Sequence, residues 1–584
     1  MSLGSGSGYE TNEESWVNPD DQLWAWLDGT AAEAAKVRQD EAKFTQLDRW
    51  LQLYYGEHYT SRMPTYRPPV VVNELRTLIL SEASDLGDVQ FRTYILKDLR
   101  HGNRDTQAER ALRALWTRQQ IDIKITEAVT WAAIMGTGFL RVWWDPDAAH
   151  GMGDVVVDVL DPRQVLPDPD APDDTKLLFV IYESVLDTYE IRRLFPRKGK
   201  YVNPEDSYSE KAMNYKSGTA NIPPGMPLFG PMSNTQTGFL GPGEEGYKKA
   251  RARVLDMYIK DDTLTEVAEQ LKNPDGSGVT DEEGNPVLKT RKEAKYPRGR
   301  RIVGSNGVIL YDGPNNAPDF GLVRIALEPT LGKFWGGVGF VQQTAELQLA
   351  ADKLASSVVE NAIRLNNGIM VFTGNHGLDT DTFVGMPAQI VSLSAGGSFD
   401  IKYPPPMPDD MINAPERLLN LQRRILGFPD ARSGSGGKGN VSPELTETEI
   451  SQSQGTTRLR AKHLYFAVQR LSEMIVARMM ENYTIPRVIP ATEGESFQPV
   501  IWEPVQMDPN KHPGYAVHID PASFQVVSKS MQRRLSLALY RMGAIDRRAA
   551  LETLGWAHWE DVAERMDNAE KMAAMAKLQS KKSK

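Results

Sequence analysis

The chain has 584 residues, a formal net charge of −10, 40% apolar and 25% charged residues; that length supplies core for roughly three or four domains, and the ordinary composition excludes disorder of the whole chain. It contains no cysteine, which excludes disulfides, thiolate nucleophiles and Cys-ligated zinc or iron–sulfur sites. The excess of acid argues against a protein that grips DNA by its phosphates, because phosphate neutralisation needs a basic field.

Residues 1–20 are rich in Gly, Ser, Glu and Asn and are read as a flexible N-terminus. They lack a basic stretch followed by an apolar run, so no signal peptide is expected. No stretch of 18 uncharged apolar residues occurs, so no membrane-spanning helix is expected either. From 21 to 59 the pattern is helical, with Leu23, Trp26 and Leu27 in one cluster. Phe44, Leu47, Trp50, Leu51 and Tyr54 continue at three- and four-residue steps. Pro64, Pro68 and Pro69 end that run. A second helix is expected over 73–86 and a third over 106–135, its stripe formed by Ala111, Leu115, Ile121, Ile125, Val129 and Ala132.

After Gly136-Thr-Gly138 the period changes to strand: FLRVWW (139–144), VVVDVL (155–160) and LLFVIYESV (177–185), separated by Asp/Pro turns. Residues 196–250 read as a long surface excursion. Strands resume at RVLDMYI (253–259); an Asp/Gly-rich stretch before VLKTRKEAKY suggests a hairpin, and RRIVG and GVILYDG follow.

A long helix pattern covers 338–366, with Leu347, Ala351, Leu354, Val358, Ala362 and Leu365 on one face. Glu346, Asp352, Lys353, Glu360 and Arg364 are interleaved with that face. A small β-rich piece follows (GIMVFTGN, AQIVSLSA, FDIKY, then PPPMP), and a second helix over 411–426. A loose segment, GFPDARSGSGGKGNVSPE, leads to a helix over 447–483 carrying Leu459, Leu464, Phe466, Leu471, Ile475 and Met479. Strand-like PVIWEPV and YAVHIDP precede a helical block over 528–577.

The stretch YPRGRRIVGSNGVILYDGPNNAPDFG, the aromatic-Gly-x-Gly of KFWGGVGF, the Gln-containing helix after it, and TETEI at 446–450 occur in a characteristic order. In that order and spacing, 296–483 resembles the tailed-bacteriophage portal proteins, and 100–190 is similar as well. The resemblance implies an α+β portal-type fold: wing (21–333), stem helix 1 (334–366), clip (367–410), stem helix 2 (411–427), tunnel loop (428–445), inner-wing helix with wing strands (446–527) and a short helical crown (528–584). It also implies a homo-oligomeric ring, a dodecamer in the virion, assembled in the host cytoplasm and placed at one capsid vertex. Double-stranded DNA would occupy its channel. Large terminase and later a head-completion or tail adaptor would dock on the clip, and major capsid and scaffolding proteins would surround the wing. The excursion at 196–250 and the hairpin near 275–295 follow no pattern that the resemblance explains.

Under that resemblance Leu347, Leu354, Val358 and Leu365 would pack between subunits. Arg417, Arg423 and Arg424 would either face the channel or pair with a neighbour's carboxylates, the reading favoured here; Arg458, Arg460 and Lys462 carry the same alternatives. Phe372, His376, Asp379, Asp381 and Phe383 would receive partners at the clip. Arg432, Ser433, Lys438 and Asn440 would touch DNA from the tunnel loop, or lie on a flexible surface loop. That loop departs from a Walker A motif, since Arg432 takes the place of the first Gly and Gly439 follows Lys438.

No catalytic, cofactor or metal site is expected. The eight histidines are dispersed without metal-ligand spacing, and no G-x-S-x-G motif occurs. The Asp-rich turns at 145–147 and 168–174 could hold Ca²⁺ but read more simply as turns. The competing functions are another virion shell or adaptor protein, and a DNA-processing packaging enzyme.

Overall fold

The computed structural model describes residues 19–42, 46–59, 68–87, 93–98, 103–205, 250–270, 288–315, 317, 319–329, 334–335, 337–366, 369–374, 393–403, 405–428, 455–483, 487–489, 500–502, 516–519, 529–545, 550 and 566. Within them the chain is mixed helix and strand, as the α+β reading expects.

The helix expected over 21–59 is two helices, α1 (Pro19–Ala42) and α2 (Leu47–Tyr55). They serve different cores. Leu27, Ala31 and Ala34 of α1 cover one face of a five-stranded sheet, whereas Leu47, Trp50, Leu51 and Tyr54 of α2 enter the main helical core. α2 stops at Gly56, whose positive φ of 89° lets its N–H reach back to the last turn. α3 (Glu74–Gly87) follows.

The helix expected over 106–135 also divides, into α4 (Thr106–Arg118) and α5 (Ile121–Met135). Asp105 caps α4 by accepting the Gln107 and Ala108 N–H groups, both at 3.1 Å. Between the helices Gln120 is left-handed (φ 52°). The Gln119 amide there accepts the Val157 N–H at 3.0 Å and donates to the Val155 carbonyl. The apolar stripe runs on through this break, so periodicity does not reveal it.

β1 (Thr93–Asp98) and β2 (Asn103–Arg104) precede α4. β3 (Gly138–Asp145) and β4 (Asp154–Leu160) confirm the first two expected strands. β5 (Val165–Pro167), β6 (Phe179–Asp187), α6 (Thr188–Leu194) and β7 (Arg251–Ile259) come next. The hairpin β8 (Leu264–Gln270) and β9 (Leu288–Ala294), then β10 (Arg300–Ser305), β11 (Val308–Pro314) and β12 (Leu322–Ile325), complete this half. Most of the excursion at 196–250 lies outside the described residues.

The five-stranded sheet has the order β11-β10-β7-β6-β5 and is antiparallel throughout. Alternation decides its two faces. Leu255, Met257, Ile302 and Ile309 meet α1; Ala252, Val254, Val303 and Leu310 meet Ile191 of α6 and Val202. A second sheet, β12-β3-β4, packs on the main core. Asp256 of β7 ties the two sheets together, accepting from Arg301 at 2.8 and 3.0 Å and from Arg141 of β3 at 3.0 Å. Burial alone would raise its carboxyl, but the two guanidiniums hold it below the usual carboxylate range.

Next come α7 (Phe340–Asn366), β13 (Ile369–Thr373), β14 (Ser398–Lys402), a helical turn at Asp409–Ile412 and α8 (Ala414–Leu426). α9 (Gly455–Asn482) then crosses the main core. Its Leu464, Leu471, Ile475 and Met479 are buried as expected, but Leu459 and Phe466 are 57% and 66% exposed, because they fall on the opposite side of the helix. β15 (Arg487–Ile489) and β16 (Val500–Trp502) pair with each other, and β17 (Ala516–Ile519) returns to pair with β1. α10 (Lys529–Arg541) opens the C-terminal block, most of which lies outside the described residues.

The glycines flagged around 136 and 337 have a steric reason. Gly136, at φ 92°, ends α5 against Gly337, and a Cβ on either would overlap the other's carbonyl oxygen. α7 is thereby seated directly on the end of α5.

Candidate functional site at the long helical hairpin

α7 has 27 residues, a rod of about 40 Å. It runs beside the shorter α8, and the chain between them carries the small sheet β13-β14. At the root, Phe340 and Val341 of α7 and Leu426 and Phe428 at the end of α8 are buried in the main core. The Phe340 and Phe428 rings meet edge to face at 6.2 Å. At the tip, Ile369 pairs with Lys402 and Thr373 with Ser398, while Phe372 and Phe399 lie across the strands at 5.1 Å. Every residue of β14 is exposed.

The inward face of α7 differs from the sequence reading. A row at four-residue spacing, Thr344, Gln348, Asp352, Ser356 and Glu360, is buried. Asp352 and Glu360, two of the charges interleaved with the apolar face, are 0% and 5% exposed. For Gln348, Asp352 and Ser356 the cause is the non-helical segment 68–73 lying across the rod. Its backbone N–H groups have no ladder to join and must find acceptors. Val70 N donates to Ser356 Oγ at 3.0 Å and Val72 N to Asp352 Oδ1 at 2.9 Å, while Leu75 N in the first turn of α3 donates to Gln348 Oε1 at 3.3 Å. Gln348 Nε2 returns a bond to the Val72 carbonyl at 2.6 Å. His58 closes the row: Nδ1 meets Asp352 Oδ2, and Nε2 donates to the Leu53 carbonyl at 2.9 Å. The four-residue spacing was visible in sequence, but hydrophobic periodicity assigns such residues to water.

Apart from Ala351, which is buried, the expected apolar stripe turns away from this row. Leu347, Leu354, Val358 and Leu365 are only half-buried in the single chain, and Ala362 is exposed. Further apolar groups are open on the rods: Val359 and Ile363 on α7 at 37% and 42%, Leu421 and Ile425 on α8 at 44% and 45%. Leu419, Gln422 and Leu426 make up the buried face of α8.

The arginines of this region pair within the chain. Arg423 Nε donates to Glu74 at 2.8 Å and Arg417 to Asp410 at 3.0 Å, while Arg424 is exposed. Arg460, near the start of α9, is 3% exposed and neither faces solvent nor awaits a neighbour. It donates to Glu82 of α3 at 3.2 Å, to Glu328 at 2.9 Å and to the Leu426 carbonyl at 3.1 Å, and lies 4.5 Å from the Phe340 ring. One side chain thus fastens the beginning of α9 to α3, to the end of α8 and to the beginning of α7. Arg458 and Lys462 are exposed.

Of the residues expected at the tip, Phe372 is described and half-buried. His376, Asp379, Asp381 and Phe383 lie outside the described residues, as do Arg432, Ser433, Lys438 and Asn440 of the loop. The Asp-rich turns are self-satisfying: Asp168 accepts the Asp170 and Leu178 N–H groups at 3.1 and 3.2 Å, and Asp145 that of Asp147 at 3.0 Å. Among the described residues no group of three His, Asp or Glu could hold a metal ion, and no helix is long and apolar enough to cross a membrane.

The family model described as phage P22-like portal protein matches residues 100–579. No curated protein matches the chain.

Proposed function

This chain belongs to the phage P22-like portal protein family, and from that footing we propose that its copies close into a ring, a dodecamer in the virion, that conducts the double-stranded genome during packaging and ejection. Portal proteins of this family are structural parts of the capsid. In the proposed assembly α7 and α8 form the stem and β13-β14 the clip, where large terminase docks first and a head-completion or tail adaptor later. Capsid and scaffolding proteins contact the region built on the two large sheets.

The observation that carries this reading is the rod pair itself. Leu421 and Ile425 of α8 are exposed at 44% and 45%, and Leu347, Leu354, Val358 and Leu365 stay half-open. Apolar surface left in water costs about 25 cal/mol per Å². Neighbouring copies set side by side around an axis remove that cost by a head-to-tail contact that closes on itself. The net charge of −10 suits a conduit past which DNA slides and not a clamp that holds it.

Residues 428–445, on the way from α8 to α9, supply the tunnel loop, whose Arg432 and Lys438 touch phosphates in passing. Deleting 433–440 tests this assignment in a packaging reaction. Rings should still form while DNA packaging or retention falls. Loss of the ring itself would make the loop an assembly element and refute its role in the channel.

A further inference from the structure

Among the described residues β8 and β9 pair only with each other, from Leu264 opposite Ala294 to Gln270 opposite Leu288. Among the described residues neither strand packs substantially on another element. Leu264 is 61% exposed, and Thr265, Glu266 and residues 290–294 are exposed as well. An isolated two-stranded hairpin is marginal in water, and each of its strands leaves one edge of unpaired backbone donors and acceptors.

The root of this arm is fixed. Asp261 accepts the Thr263 N–H at 2.9 Å and Arg300 Nη1 at 3.3 Å, while Arg300 Nε reaches Asp312 at 2.7 Å. Lys295 N donates to the Thr263 carbonyl at 2.7 Å. The arm therefore leaves the five-stranded sheet at a defined place, with neither outer edge paired among the described residues.

Its charges are sorted by strand. β8, Leu-Thr-Glu-Val-Ala-Glu-Gln, has two acids and no base; β9, Leu-Lys-Thr-Arg-Lys-Glu-Ala, has three bases and one acid. Inside the hairpin this sorting achieves little, since Lys292 and Glu266 are 4.0 Å apart and exposed. Between copies it discriminates. Two β8 edges repel, two β9 edges repel, and a β8 edge attracts a β9 edge. That rule forbids a two-fold contact and permits only a head-to-tail one, the kind that closes rings.

We infer that this hairpin is an inter-subunit clasp: the β8 edge of one copy pairs with the β9 edge of the next, extending the sheet by strand addition. The inference rests on the ring reading above and deepens it, giving the ring a second contact away from the stem.

The chain's lack of cysteine allows a clean test by thiol pairing. One full-length variant carries Thr265→Cys or Glu266→Cys, another Arg291→Cys or Lys292→Cys; each is assembled alone and as a mixture, then oxidised. Two positions per strand sample both faces of the added strand. At least one mixed ring should give a disulfide-linked dimer on a non-reducing gel, and neither variant alone should. Intact mixed rings with no cross-link in any combination overturn the clasp, as does equal cross-linking in a single-variant ring. Failure of the ring reading looks different, for then the unmodified chain forms no ring at all.

Discussion

Replacing Arg460 by Met should be among the most damaging single changes in the helical core. The guanidinium is 3% exposed and Glu82 0%, so Met takes from a buried carboxylate the cation at 3.2 Å and from the Leu426 carbonyl its donor at 3.1 Å. Removing one partner of such a pair costs about 3–5 kcal/mol. The Glu328 side chain, a third exposed, should contribute little to that loss. The size of the effect has a specific origin that a double-mutant cycle isolates. Glu82→Leu alone leaves the buried guanidinium with only the partly exposed Glu328 as counter-charge, whereas R460M with E82L removes both members of the buried pair. The double variant should therefore be more stable than the sum of the singles implies, by roughly 1–3 kcal/mol. Denaturant unfolding of the four proteins, followed by circular dichroism at matched oligomeric state, gives the cycle. Strict additivity, or an R460M protein within about 1 kcal/mol of the parent, would show that Arg460 acts only through packing on Phe340 and would refute the charge argument.

Two other changes test the physics of neighbouring regions. Gln422 is fully buried on α8, and among the described residues neither its amide nitrogen nor its oxygen has a partner. Gln422→Met keeps the shape without the polar atoms and should stabilise the helix pair by about 1–3 kcal/mol, read as a raised denaturation midpoint; a loss of stability would contradict this. Asp256 gives a pH signature. Its carboxyl is held below the ordinary range by Arg301 and Arg141, so its stabilising contribution is present above the unfolded carboxylate value and disappears as pH falls through the lower folded value. Asp256→Asn should lower stability at neutral pH by at most about 3–5 kcal/mol and flatten the acid limb of a stability–pH curve. An unchanged acid limb would rule Asp256 out as the group responsible.

The parts of the fold visible in sequence were those governed by local pattern. Period-2 runs at 139–144, 155–160 and 253–259 became β3, β4 and β7, and the long apolar stripe of 338–366 became α7. What escaped notice depends on distant residues. The Asp352 row is buried because segment 68–73 needs acceptors 280 and more residues away along the chain. Arg460 meets Glu82 across 378 residues and Glu328 across 132, and no spacing rule links them. The breaks before α2 and α5 were hidden for a related reason. The first is set by which core the next helix must enter, and the second by a left-handed residue, Gln120, that composition does not mark.

The arrangement of copies about an axis is tested most directly by imaging the purified full-length chain by electron microscopy. End views should show a closed ring with a central hole, and side views a narrower stem continuing the long helical hairpin. A stable solitary chain whose rods lie folded against its own core, with no axial opening at any concentration, would contradict the account.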